Sequence, residues 1–267
     1  MVNGHFVIDA HCHIYPDKIA ERAVAGTSTF YDIEFYNKGK VSELLEKGKE
    51  AGFDHYIVQS VATTPKQVES INEFIANTVN DNKGIMTGLG TLHPDCVDLA
   101  YQVEKIKSLG LKGVKLHPDI QKFKIDDYRC LKIYELCERE HLPVLMHTGD
   151  NRYDYSNYNR LLPILDIYTD LVIVGAHLGG YSMWEEAAQK LAGYKNFYVD
   201  CSSSMPFIGT KRTKKIIESY GTDRVLFGTD YPMWNIKEEL DSFFKMDLSS
   251  EDCDKILCEN AQKIYIK

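Results

Sequence analysis

Apolar, β-branched runs alternate along this chain with stretches of helical spacing. The strand-like runs begin near Phe6, His55, Ile85, Gly113, Pro143, Leu171, Phe197 and Val225. From Ile85 onward, successive starts lie 26 to 30 residues apart. That is room for one strand, one helix and two short loops. The intervening pattern predicts helices over 40–51, 65–82, 97–109, 127–140 and 182–192, and two more over 237–244 and 250–265. Val68, Ile71 and Ile75 carry the helical spacing, and Pro65 suits a first turn capped by Thr64. Eight such units in 267 residues, with no Gly/Ser linker, predict one parallel α/β domain over 1–267. The expected form is a (β/α)8 TIM barrel with extra C-terminal helices. An open doubly wound sheet is the structural alternative, but neither G-x-G-x-x-G nor G-x-x-x-x-G-K-[ST] follows a strand.

Polar residues interrupt the apolar pattern at the strand ends. In V-I-D-A-H-C-H-I-Y-P (7–16), Asp9, His11 and His13 recur with period two. Residues i and i+2 of a strand share a face, about 6.6 Å apart, so two imidazoles there can converge on one metal ion. Cys12 faces the other way and reads as core. Asp9, one step deeper, is expected to orient a ligand histidine. The fourth strand ends in Lys115 and His117, the fifth in His147, the sixth in His177 and the eighth in Asp230. A barrel gathers all these ends around one axis, and core histidines scattered by chance would not all fall there. The connection from His13 to Val41 leaves the same face and carries Tyr15, Phe30, Tyr31, Phe35 and Tyr36. It is expected to be a long loop that serves as a lid or pocket wall. Ser202, Ser203 and Ser204, ending the seventh strand, read as pocket lining.

Charge and cysteine usage narrow the classes. A formal net charge of −8 without a basic stripe argues against nucleic acid and anionic membrane surfaces. No apolar run reaches the roughly 18 residues of a membrane span, and the N-terminus has no secretory pattern. Seven cysteines without a C-x-x-C pair read as free thiols in a reducing cytoplasm. No G-x-S-x-G elbow supports a serine hydrolase. The expected partner is a small-molecule substrate, with a homodimer left open.

The ordered set I-D-A-H-C-H-I (8–14), G-V-K-L-H-P (113–118), H-T-G (147–149), A-H-L-G-G (176–180) and L-F-G-T-D-Y-P (226–232) resembles the amidohydrolase superfamily, in its amidohydrolase-2 branch. The resemblance implies one divalent metal ion, most often Zn²⁺, at the barrel mouth. It implies His11, His13, His147 and Asp230 as ligands, with Asp230 and His177 catalytic. Lys115, His117 and Arg152 are expected to bind substrate. Lys115 is expected to stay unmodified, giving a mononuclear site, and to pair with Asp9 or the substrate. The expected reaction is hydrolysis of an amide, ester or lactone by metal-activated water. The alternative on the same site is nonoxidative decarboxylation, or hydration, of an aromatic or unsaturated carboxylic acid.

Overall fold

The computed structural model describes residues 1–266. Nine short parallel strands alternate with helices: β1 (Ile8–His13), α1 (Asp17–Tyr31), α2 (Val41–Ala51), β2 (His55–Gln59), α3 (Val68–Asp81), β3 (Met86–Gly88), β4 (Gly90–Thr91), α4 (Leu99–Ser108), β5 (Val114–Leu116), α5 (Pro118–Gln121), α6 (Tyr128–Arg139), β6 (Val144–Met146), α7 (Leu162–Ile167), β7 (Ile173–Gly175), α8 (Trp184–Leu191), β8 (Phe197–Asp200), α9 (Met205–Tyr220), β9 (Val225–Leu226), α10 (Ile236–Phe244) and α11 (Ser250–Asp254). β3 and β4 are two halves of one barrel strand, bridged by Leu89, whose N–H donates to the Val58 carbonyl at 2.9 Å. The ring closes between β9 and β1: Ala10 N–H donates to Phe227 O at 2.9 Å and His13 N–H to Tyr231 O at 2.7 Å. The expected eight-unit barrel is therefore the observed fold.

Alternation explains which residues go where. Tyr56, Val58, Val114, Leu116, Val144, Met146, Phe197 and Val199 join the layer between strands and helices. Ile57, Leu145, Val174, Tyr198 and Leu226 point into the barrel. Cys258, Ala261 and Tyr265 pack against this inner set, so the C-terminal segment plugs the bottom. Asn260 Nδ2 pins it by donating to Val225 O at 2.7 Å.

Two expectations change here. The connection after β1 is not a loop: 15 of its residues form α1. In β1 itself a bulge lies between Asp9 and Cys12 and resets the phase. Ile8 and Ala10, rather than Asp9, therefore face the barrel interior below His11 and His13. Asp9 instead accepts hydrogen bonds from Thr229 N–H (2.9 Å) and Oγ1 (2.5 Å) and from His11 N–H (3.1 Å).

Glu239 on α10 is buried, and its Oε2 has no hydrogen-bond partner. Burial pushes its carboxyl up to about 8. The folded state keeps a proton that the unfolded chain releases, so stability falls as pH rises from about 4.5 to about 8 and then levels off. At pH 7 the cost is about 3 kcal/mol, at 1.36 kcal/mol per unit. Glu239→Gln is expected to raise the Tm clearly at pH 8 and little at pH 5. Equal gains at both pH values would mean that the carboxyl titrates normally.

Candidate active site

The strand ends meet at the top of the barrel, beneath α1. His11 Nε2 lies 3.1 Å from His13 Nε2 and 3.4 Å from Asp230 Oδ1, and His13 Nε2 lies 3.7 Å from that oxygen. Donors bound about 2.0–2.2 Å from one cation stand roughly 3.0–3.6 Å apart, so these three suit a divalent ion. The second nitrogen of His11 supports this. Its Nδ1 faces the Asp200 carboxylate at 2.9 Å, an acceptor only, so Nδ1 carries the proton and Nε2 keeps its lone pair. Burial, reinforced by neighbouring cations, holds His13 well below its ordinary pKa, and a neutral imidazole is the form that binds metal.

Asp230 is held from both sides. Ser203 Oγ donates to its Oδ2 at 2.6 Å, and Trp234 Nε1 donates to Ser203 Oγ at 2.7 Å. Burial alone would raise its carboxyl, but His11, His177 and the Ser203 bond outweigh that and keep it below the usual carboxylate range. Asp200 is a second anchor. Its Oδ1 accepts from Ser202 N–H at 3.1 Å, from Ser202 Oγ at 2.5 Å and from His177 N–H at 3.3 Å. Its carboxyl is held well below the ordinary range: burial opposes ionisation, and His11, His177 and Ser202 overcome it. His177, Ser203 and Asp230 all sit at positive φ (58°, 50° and 56°). Such strain in non-glycine residues gathers at functional sites.

Lys115 is fully buried, and its Nζ lies 3.0 Å from His11 Nε2. It does not reach Asp9 as expected, because Asp9 is committed to Thr229. Burial pushes the Lys115 ammonium down to about 8, against the pull of Asp200 and Asp230. His177 Nδ1 faces the Ser202 carbonyl at 3.1 Å, which leaves Nε2 unprotonated and aimed at His147 Nδ1, 3.1 Å away. Burial lowers its pKa to about 4, so it is neutral at pH 7.

His147 lines the same chamber but is not drawn into the His11–His13–Asp230 set. Its Nε2 lies 3.5 Å from Tyr31 Oη and 3.6 Å from Asp119 Oδ2, and its ring stacks on His117 at 4.0 Å. His117 Nε2 shares a 2.7 Å hydrogen bond with Tyr31 Oη. Arg152 is placed differently from expectation. It is not part of the chamber wall. Its Nε and Nη2 bind the buried Asp150 at 2.9 and 2.7 Å, Nη1 donates to Phe30 O at 2.9 Å, and the guanidinium lies 5.2 Å from the Phe30 and Tyr31 ring centres. Arg152 thus clamps the end of α1, and through it Tyr31. Arg152→Lys loses the two-pronged grip on Asp150. The Tm is expected to fall by several degrees and KM to rise several-fold with kcat little changed; an unaltered Tm would show that the clamp bears no strain.

Ser202, Ser203 and Ser204 do not line the chamber either; Ser202 and Ser203 stand behind it, holding His177 and Asp230. Sequence reading missed Asp200, Trp234 and Asp119. Asp200 had a readable signal, since Phe197-Tyr198-Val199-Asp200 ends an apolar strand in a polar group like the other mouth strands. Asp119, just past His117-Pro118, accepts from Ser156 Oγ at 2.5 Å, and burial raises its carboxyl to about 7.

A family model described as amidohydrolase matches residues 8–266. The chain belongs to this amidohydrolase family. It is thus an enzyme of the amidohydrolase superfamily. Part of this amidohydrolase, 124 residues, is 32% identical to a γ-resorcylate decarboxylase of Polaromonas sp. (strain JS666). That match covers 38% of the chain and 36% of the decarboxylase. Over 97% of its length the fold is similar to 5-carboxyvanillate decarboxylase from Sphingomonas paucimobilis (TM-score 0.77, 17% identity, 98% of that chain). It is also similar to dihydroxybenzoic acid decarboxylase from Polaromonas sp. JS666, solved with manganese and 2-nitroresorcinol (TM-score 0.75, 20% identity, 97% of this chain and 96% of that one). These relatives overturn the expected hydrolysis, because each is a decarboxylase. The same metal-site pattern serves both chemistries, so the motifs could not separate them. Zinc gains no support: the ion in the Polaromonas structure is manganese. Among the described residues, no helix is long and apolar enough to cross a membrane, and all seven cysteines are free.

Proposed function

We propose that this amidohydrolase is a metal-dependent, nonoxidative decarboxylase of a hydroxylated aromatic carboxylic acid. The observation that carries the reading is the convergence of His11 Nε2, His13 Nε2 and Asp230 Oδ1 on one point at the floor of a chamber walled by Tyr15, Phe30, Tyr31 and Phe35. The decarboxylase relatives support it. His11, His13 and Asp230 would hold the divalent ion, with His147 the further ligand implied by its motif. Bound there, the ion supplies positive charge that offsets the substrate carboxylate and its neighbouring oxygen.

The chain's own groups then move one proton. Asp230, kept ionised, takes the proton of the hydroxyl beside the carboxylate. It returns that proton to the ring carbon that bears the carboxylate. The bond from that carbon to the carboxyl carbon breaks, its electron pair restores the aromatic ring, and CO₂ leaves. The phenolate product takes a proton from solvent. Ser203 and Trp234 keep the Asp230 carboxylate aimed throughout. Lys115 and His117, both on the chamber wall, face the substrate's oxygens. The aromatic wall excludes the water that would otherwise solvate the carboxylate and slow its loss.

Manganese-loaded protein is expected to release CO₂ from at least one member of a 2-hydroxybenzoate panel, and chelation is expected to abolish the release. No release from any member, with manganese bound, would defeat the proposal.

A further inference from the structure

The chamber is far larger than a one-ring acid. Its volume is about 860 Å³, near the top of the roughly 300–1,000 Å³ range of pockets that enclose drug-sized ligands. From the His13–Asp230 floor the cavity runs outward between α1 and α3. On α1, Ile19, Ala23, Gly26 and Phe30 line it, spaced four, three and four residues apart along one helix face. That face of α1 looks onto open space. Ala23 and Gly26 are the smallest residues of the stripe, and a Cβ added at Gly26 would meet no atom within 4 Å. The opposite wall is Ile71 and Phe74 of α3, each half-buried against the core with one side turned to the cavity.

An amphipathic helix ordinarily buries its apolar stripe against protein. Here apolar side chains of both helices line a gap that opens directly into the reacting centre, with Lys18 and Arg22 of α1 and Ser70, Glu73 and Asn77 of α3 lining it beside them. Building on the decarboxylase reading, we infer that the substrate carries an apolar arm, about the size of a second ring, which lies between α1 and α3 while its carboxylate sits at the His11–His13–Asp230 floor. The arm would displace water from Ile19, Ala23, Ile71 and Phe74 and anchor the ring for the proton transfer. A single-ring acid would leave those surfaces wet. Burying an arm of this size is worth roughly 10-fold or more in affinity, at a few methylene equivalents.

The test uses full-length, manganese-loaded protein. Its probes are 2-hydroxybenzoate and a set of 2-hydroxybenzoates with a phenyl group at each free ring position in turn. Binding is read by calorimetry and turnover by CO₂ release. At least one phenyl-bearing acid is expected to exceed the parent at least 10-fold in affinity and in kcat/KM. Ala23→Trp, which fills the gap from α1, is expected to return that ratio to near one. Ile71→Asp, which makes the opposite wall polar, does the same if the tryptophan variant fails to fold. Turnover of the parent acid with no advantage for any phenyl-bearing acid overturns the arm and leaves the decarboxylase reading standing. Tighter binding of a phenyl-bearing acid that Ala23→Trp or Ile71→Asp removes, without CO₂ from any acid, upholds the cleft and overturns the decarboxylase reading. A binding advantage that survives both substitutions places the arm elsewhere and overturns the inference.

Discussion

Asp230→Asn is expected to lower kcat by roughly 10²–10⁴-fold, the range for a lost proton carrier, while the fold stays intact. Asparagine is the informative replacement. Asp230 sits at φ 56°, a left-handed conformation that Asn tolerates and most residues do not. The amide also keeps a hydrogen bond with Ser203, since the serine hydroxyl can accept as well as donate. What disappears is the negative charge between His11 and His13 and the ability to carry a proton. Thermal unfolding should therefore change by no more than a few degrees. A variant that turns over at near wild-type kcat would remove Asp230 from the proton path, and one that unfolds would show a structural role instead.

Asp200→Ala is expected to damage both stability and metal binding. Asp200 is completely buried, and its oxygens take His11 Nδ1–H, Ser202 N–H and Oγ–H, and His177 N–H. Alanine removes the charged acceptor that they share and leaves His11 Nδ1 only the 3.2 Å contact with Ser202 Oγ. Breaking a buried pair of this kind costs about 3–5 kcal/mol, which at roughly 2–4 °C per kcal/mol is a loss of about 10 °C in Tm. His11 would lose the partner that fixes its tautomer, and metal affinity should drop about 10–100-fold. The pH dependence has a definite sign. The folded pKa of Asp200 is depressed, so its contribution is complete above the unfolded carboxylate value of about 3.9 and fades as pH falls toward the folded value. The gap in stability between wild type and Asp200→Ala should therefore be constant from pH 5 to 7 and narrow below pH 4. A manganese titration of Asp200→Ala that matches wild type would sever the link between Asp200 and the metal site.

Much of the barrel was legible in the sequence, because parallel strands buried on both faces read as short apolar runs at regular spacing. The predicted starts near His55, Phe197 and Val225 coincide with β2, β8 and β9. The convergence of His11, His13 and Asp230 was legible for the same reason: polar groups ending apolar strands stand out. What hid the rest was local. A bulge in β1 breaks the period-two rule and takes Asp9 off the face shared by His11 and His13. Helix α1 escaped notice because its stripe is diluted in sequence: Ala23, Gly26 and Thr27 separate Ile19 from Phe30. Arg152 was expected to bind substrate, and only the fold shows Asp150 and Phe30 occupying it. The reaction itself was not readable, because hydrolysis and decarboxylation ask for the same donor set and differ in what the chamber admits.

The most direct test runs the reaction in D₂O. Manganese-loaded protein is incubated with a 2-hydroxybenzoate that it turns over, and the products are followed by NMR and by CO₂ release. Proton return from Asp230 predicts one equivalent of CO₂ and one deuterium in the arene, at the carbon that lost the carboxylate. Its counterpart Asp230→Asn should give neither above background. Aromatic acids left untouched by the metal-loaded protein, while an amide, ester or lactone is cleaved, would contradict the account.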